Sequence, residues 1–487
     1  MRRRDASARV LLLFGMTALI AYGYLIFRGG WSEQAAFGTP GSTAVRYWPM
    51  ALLAAALLAA IRLRPPTRTV AASLSVLLVS LLYAAELLLA ASSAGVGIAP
   101  SVPIFAVDLA ATDSKKRIGA AAARFGVNVD LRDRIDVLTD MRARGVDAVP
   151  AVMLSDLLSR DDTGTATLFN AKALMPLGGI ANTVTVLCNQ ASPEYVTYTS
   201  DEHGFRNPAG AWTSGRLDIA VVGQSHVQGY CLPDGQGFVD LLRTRDRRVL
   251  NLGMSGAGAL LQLAGIREYL RPYAPRVVLW CYSEGLDLSD FEIESTWVSL
   301  KRYLDPGFSQ RLLTRQTEVD DSLRTYVSAR ESRERSRQSV SAGGSFVGRS
   351  LDIVKLSHLR YKVDLVYGSN DSGSTAEGDS LMRDILKEAQ SETSAWGGRL
   401  YMVYLPNWTR FRNGPRPSDR ERRRITAIPE GLGIPVIDVT PAFEAQPDPL
   451  SLFPLRIFGH YNKAGSRLVA ETITNYLNAV THSASEP

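Results

Sequence analysis

The sequence predicts an α/β fold built on a parallel sheet and preceded by three transmembrane helices. Three observations predict it. Three apolar runs crowd the first 91 residues; from residue 217 short apolar runs alternate with amphipathic stretches; and the 487-residue composition, 46% apolar and 21% charged, is that of a globular chain. A collagen, a coiled coil or a disulfide knot is excluded.

The first run, RVLLLFGMTALIAYGYLIF at 9–27, is uncharged after Arg9 and close to the ~20 residues that span a hydrocarbon core. A second run covers 47–61, and a third, 69–91, is long enough to cross with some tilt. Arg2, Arg3, Arg4 and Arg9 precede the first run, and Arg62, Arg64 and Arg68 crowd the link between the second and third. The positive-inside rule then leaves the N-terminus cytoplasmic and everything after residue 92 outside the inner membrane. Glu86, near the outer end of the third run, is expected to snorkel to the interface.

Charge follows the same division. Residues 1–68 hold 9 Arg against Asp5 and Glu33, whereas 69–487 hold 45 basic and 46 acidic residues. The basic balance therefore belongs to the membrane region, and no nucleic-acid footprint is expected in the rest. Cys188, Cys231 and Cys281 show no metal-ligand spacing; at most one bridge can form, and ordinary buried cysteines are expected.

After a small-residue linker at 92–103, a segment to residue 216 combines a helical stretch at 114–144 with alternating runs, TVTVLC and YVTYTS, and closes in DEHGFRNP. It reads as a small α+β unit or as a shoulder on the C-terminal domain. That domain, 217–487, offers five strands: 217–222, 248–252, 275–281, 399–405 and 435–439. Helical spacing falls between and after them at 237–242, 258–270, 379–396, 418–431 and 462–479. Such alternation means a parallel sheet covered on both faces. A polar insert at about 290–378, with ARESRERSRQ at 329–338, interrupts it and reads as a solvated helix or as a lid over the sheet edge.

Within VVGQSHVQGY the first strand of this domain runs into Ser225 at a strand-to-helix turn, where a hydroxyl is exposed at the carboxyl end of the sheet. Serine needs a base, and the chain has five histidines: His203, His226, His358, His460 and His482. His460, in FGHYNKAGSRLVAETI just before the last helix, is best placed, since the loop after the final strand returns to the same crevice. His226 adjoins Ser225 and cannot easily turn its ring to that hydroxyl.

The order of these elements resembles the SGNH (GDSL-type) hydrolase superfamily. VVGQSHVQGY stands where the family has its Gly-Asp-Ser block, NLGMSGAG is similar to the second block, PRVVLWCYSEGLDLSD to the third and HYNKAGSRLVAE to the last. The resemblance covers about 217–290 and 398–480. It implies a flavodoxin-like three-layer α/β/α fold and acyl transfer by a serine nucleophile, Ser225. His460 would be the general base, and the backbone N–H groups of Ser225 and Gly256 would bind the oxyanion. No cofactor is expected.

The chain departs from the family at three places: Gln224 replaces the block aspartate, Leu286 the asparagine that donates to the oxyanion, and Ile457 and Phe458 occupy positions where an aspartate precedes the histidine. Asp448 is a candidate replacement acid, and a backbone carbonyl is another. Glu284 and Asp287 read as capping or solvated groups. The expected function is a membrane-anchored, extracytoplasmic esterase or O-acyltransferase, with an acyl ester on a cell-surface glycan as the substrate its location suggests. The alternatives are a silent fold that binds glycan in envelope polysaccharide assembly, or a scaffold using the insert.

Overall fold

The computed structural model describes residues 6–13, 57, 59–93, 109–158, 174–213, 215–243, 247–354, 376–412 and 419–483. In chain order the principal helices are α1 (Pro65–Ser93), α2 (Leu109–Phe125), α3 (Arg134–Ala143), α4 (Leu154–Leu158), α5 (Ser225–Gln228), α6 (Phe238–Leu242), α7 (Ala259–Gly265), α8 (Asp287–Ser295), α9 (Gln316–Val354), α10 (Ala376–Ala395), α11 (Asp419–Glu430) and α12 (Lys463–Ser483). The strands are β1 (Ala148–Pro150), β2 (Val184–Cys188), β3 (Val196–Thr199), β4 (Ile219–Val222), β5 (Val249–Asn251), β6 (Val277–Ser283), β7 (Arg399–Leu405) and β8 (Val436–Asp438).

Two compact units result, one holding the N-terminal region with α1, the other formed by Ser101–Ser159, Ala166–Ser336 and Gly373–Pro487. In the first unit, α1 opens on Pro65 and Pro66, which a first helical turn tolerates because its N–H groups have no partner anyway. Its stretch Pro65–Ala85 is the one helix among the described residues long and apolar enough to cross a membrane. Val70, Leu74, Leu81 and Leu88 are exposed along it. One such helix, rather than the expected three, is therefore present there. The runs at 9–27 and 47–61 lie largely outside the described residues, and Ala8, Leu12, Leu57 and Ala60 pack with Ala72 of α1.

The second unit contains a five-stranded parallel sheet, ordered β5-β4-β6-β7-β8. All five strands fall where the alternation of apolar runs and helical stretches predicts them. Side chains alternate between its faces, as a period of two requires. Ala220, Val222, Val278, Trp280, Met402 and Tyr404 join one core with Met382, Ile385 and Leu386 of α10 and Leu260 and Leu263 of α7. Ile219, Val221, Leu279, Cys281 and Val403 join the other with Phe238 and Leu242 of α6 and Val469 and Ile473 of α12. With both faces covered, the strands carry continuous apolar runs, and each fully buried aliphatic side chain contributes ~1.5–3 kcal/mol.

Within the same unit β1 pairs parallel and β3 antiparallel with β2. The single helical stretch expected over 114–144 is broken in two: Gly126, at φ +64°, turns the chain out of α2, with the Val127 N–H bonded to Ala122 O at 2.9 Å. Asp201 fastens the DEHGFRNP turn by accepting from the side chains of Asn207 (2.8 Å) and Trp212 (2.7 Å) and from the amides of His203 and Phe205 (2.9 Å each). Asn207 in turn exchanges two 2.8 Å bonds with the Asn251 backbone, tying this turn to β5.

The polar insert is more anchored than a solvated helix would be. Val319, Leu323 and Val327, one helical face of α9, are buried in the core, and Glu331 accepts two bonds from Arg142 of α3 at 2.7 and 2.9 Å.

Candidate active site

At the carboxyl end of β4 the chain turns at Gly223 and Gln224 into α5, whose first residue is Ser225. A side chain at 223 would lie 2.4 Å from Val227 and 3.1 Å from Cys281, so only glycine fits. Ser225 is buried, and its Oγ lies 2.8 Å from His460 Nε2. The structure thus brings together the hydroxyl and the imidazole, separated by 235 residues.

His460 sits on a loop fixed on both sides. Tyr461 donates to Pro406 O at 2.8 Å, and Asn462 caps α12 by accepting from the amides of Ala464 (3.0 Å) and Gly465 (3.1 Å). The His226 ring packs 5.0 Å from that of His460, its Nε2 lying 3.2 Å from Gly459 O, so it supports the loop and does not compete for Ser225. Tyr230 covers His460 from another side at 4.5 Å. Burial, then the neighbouring His226, hold the His460 pKa well below the ordinary imidazole range, and burial lowers His226 to about 4. Both rings are neutral at pH 7, the state a base requires.

Gly256 lies on the loop after β5, beside the turn that leads into Ser225: the Met254 N–H bonds Gly223 O at 3.2 Å. Gln228 of α5 accepts from the Ser255 amide at 3.1 Å and from its hydroxyl, locking this loop to the helix that carries Ser225. Gly256 has φ +75°, and a Cβ there would meet Ser155 Oγ at 2.3 Å. Ser155 of α4, whose buried hydroxyl has no partner among the described residues, therefore packs against the expected oxyanion loop, where no sequence signal pointed.

The structure does not bring Asp448 to the histidine. Its carboxylate is paired at 2.5 Å with Arg456 near the surface, and the group beside His460 Nδ1 is the amide of Gln190, at 3.2 Å. The local cause is that Asp448 precedes a short turn with a cation within reach, whereas Gln190 follows β2 and is buried.

Glu284 and Asp287 are not solvated. Glu284 accepts from Tyr404 Oη (2.8 Å), the Asn407 amide (3.0 Å) and the Arg410 guanidinium. Asp287 accepts from Gln224 (2.9 Å), Gln262 (2.7 Å) and the Ser283 amide (2.5 Å). Burial raises Asp287 to about 6 against those three bonds. Buried charges must be paired or hydrogen-bonded, and both are. Gln224 thus serves as a donor to Asp287, one use for the residue that stands in place of the expected aspartate.

Nor are all three cysteines simple buried residues. Cys188 and Cys231 form a disulfide, Cα atoms 5.2 Å apart, and Cys281 is free and buried. The bridge joins the end of β2, two residues before Gln190, to the loop after α5, beside Tyr230. The 43-residue separation carries no spacing signature that could have revealed it.

No family model and no curated protein matches this chain. Among solved structures it is similar to the Bacillus subtilis protein YxiM, at 13% identity and a TM-score of 0.31, over 58% of this chain and 60% of that one.

Proposed function

We propose that the chain is a serine-dependent ester hydrolase or O-acyltransferase with an SGNH-type, flavodoxin-like domain, anchored in the inner membrane and working on its outer side. The observation that carries the reading is the 2.8 Å pairing of Ser225 Oγ with His460 Nε2 at the carboxyl end of a parallel sheet. Ser225 attacks an acyl carbonyl, His460 takes its proton and returns it to the leaving alcohol, and the amides of Ser225 and Gly256 receive the oxyanion. Water or a second hydroxyl then accepts the acyl group. The exposed apolar surface of α1 supports the anchor, and that location favours an acyl ester on a cell-surface glycan as substrate.

The test is turnover of an activated acetate ester by the full chain in detergent. Ser225→Ala is expected to lower it by ~10³-fold or more; turnover equal to that of the native chain would remove Ser225 from the chemistry. A second reading, a silent fold that binds glycan, is favoured by the neutral Gln190 at the imidazole and by Leu286. Absence of turnover in the native chain, together with glycan binding, would select it.

A further inference from the structure

We infer that Gln190 is the positioning residue of the Ser225–His460 pair, holding the ring through its amide oxygen so that Nδ1 carries the proton and Nε2 faces the serine unprotonated. This deepens the serine-hydrolase reading and rests on it. At one edge of the ring Nε2 is 2.8 Å from Ser225 Oγ; at the other, the carboxamide nitrogen of Gln190, Nε2, lies 3.2 Å from Nδ1, so the proposed arrangement is this one with the carboxamide turned over.

A base must present a lone pair at Nε2, so its proton must sit on Nδ1 and needs an acceptor there. Gln190 can provide one. Oxygen and nitrogen of a carboxamide exchange places by a half-turn about the last side-chain bond. Gln190 Oε1 is buried and holds no bond among the described residues, so the turn breaks nothing but the contact of Nε2 with the ring. Asp448, engaged with Arg456, cannot substitute.

The surroundings make the assignment matter. The titratable groups facing the ring are His226 at 5.0 Å and Tyr230 at 4.5 Å, and neither contributes a negative charge at neutral pH. A neutral amide orients the imidazole without stabilising the imidazolium, unlike a carboxylate. The disulfide between Cys188 and Cys231 ties the end of β2, two residues before Gln190, to the loop after the helix that carries Ser225.

The experiment uses the full chain in detergent micelles with ¹⁵N-labelled histidine, the His460 signals being identified by their loss in His460→Gln. The native ring is expected to carry its proton on Nδ1. Gln190→Met is expected to mix the tautomers and to lower ester turnover by ~10²-fold. Gln190→Glu is expected to restore the tautomer and move both the His460 titration and the acid limb of turnover to higher pH, because a carboxylate favours the charged ring.

A native ring protonated on Nε2, or a tautomer and titration unmoved in both variants, would overturn the inference. Loss of the serine reading looks different: turnover then survives in Ser225→Ala, whatever the histidine spectrum reports. A merely structural Gln190 would change stability without moving tautomer or pH profile.

Discussion

Desolvation acts oppositely on His460 and Asp287, which bond to Ser225 and Gln224 of one turn. For His460 it disfavours the charged form, and His226 adds to this, so the folded pKa lies well below the unfolded value near 6.5. Turnover is therefore expected to stay level as pH falls through 6.5, where an ordinary histidine would be half protonated; a pH–rate profile that halves at 6.5 contradicts this. The stability sign is the same: between the two pKa values the unfolded chain binds the proton and the folded one does not. The contribution of His460 is full above about 6.5 and is lost as pH falls below it. Asp287 does the reverse. With its folded pKa raised to about 6, it favours folding below the unfolded carboxylate range and loses that contribution as pH rises through 6. At this scale Ser225 and His460 were legible because their residue types and local motifs announce chemistry. Gln190 was not, because a glutamine 270 residues from its partner, at the end of a short strand, carries no chemical mark.

At the level of elements, the site depends on how helices and turns terminate. Glu294 of α8 caps α7, accepting from the amides of Gly258 (2.6 Å) and Leu260 (2.8 Å), two residues beyond Gly256. Glu294→Ala is expected to lower unfolding free energy by ~2 kcal/mol or more, as a lost cap plus amides left unpaired in the core, and to reduce turnover through displacement of the Gly256 loop. Denaturant titration checks the first and ester kinetics the second. Asp201→Ala is expected to cost ~3 kcal/mol or more, since Trp212, Asn207 and two amides lose their acceptor together; an unfolding midpoint unchanged from the native chain would contradict the role given to that turn. The five strands of the large sheet were readable because a strand covered on both faces must be apolar throughout. The anchoring of the insert is hard to see in the sequence because its charges outnumber the buried stripe of Val319, Leu323 and Val327. In 114–144 the break falls at Gly126, and a lone glycine inside a helical pattern does not by itself mark an end.

For the whole molecule, the Cys188–Cys231 bridge and the apolar surface of α1 point the same way. A disulfide persists in oxidising compartments, which is consistent with the extracytoplasmic placement proposed above. Closing a loop of this length is worth about 4 kcal/mol in the chain-entropy account, so the double Cys188→Ser, Cys231→Ser change is expected to lower stability by ~2–4 kcal/mol. A maleimide count checks the bridge directly: one thiol, Cys281, after denaturation without reductant, and three after reduction. Three thiols without reductant would contradict it. The bridge escaped the sequence because pairing depends on β2 and the loop after α5 meeting in space. The central claim, that Ser225 is a nucleophile activated by His460, is tested most directly by treating the full chain with a serine-directed fluorophosphonate and locating the adduct by peptide mass spectrometry. The account predicts a single adduct on Ser225, abolished in His460→Ala. An adduct on another residue, or an unmodified Ser225 in a folded chain, would contradict it.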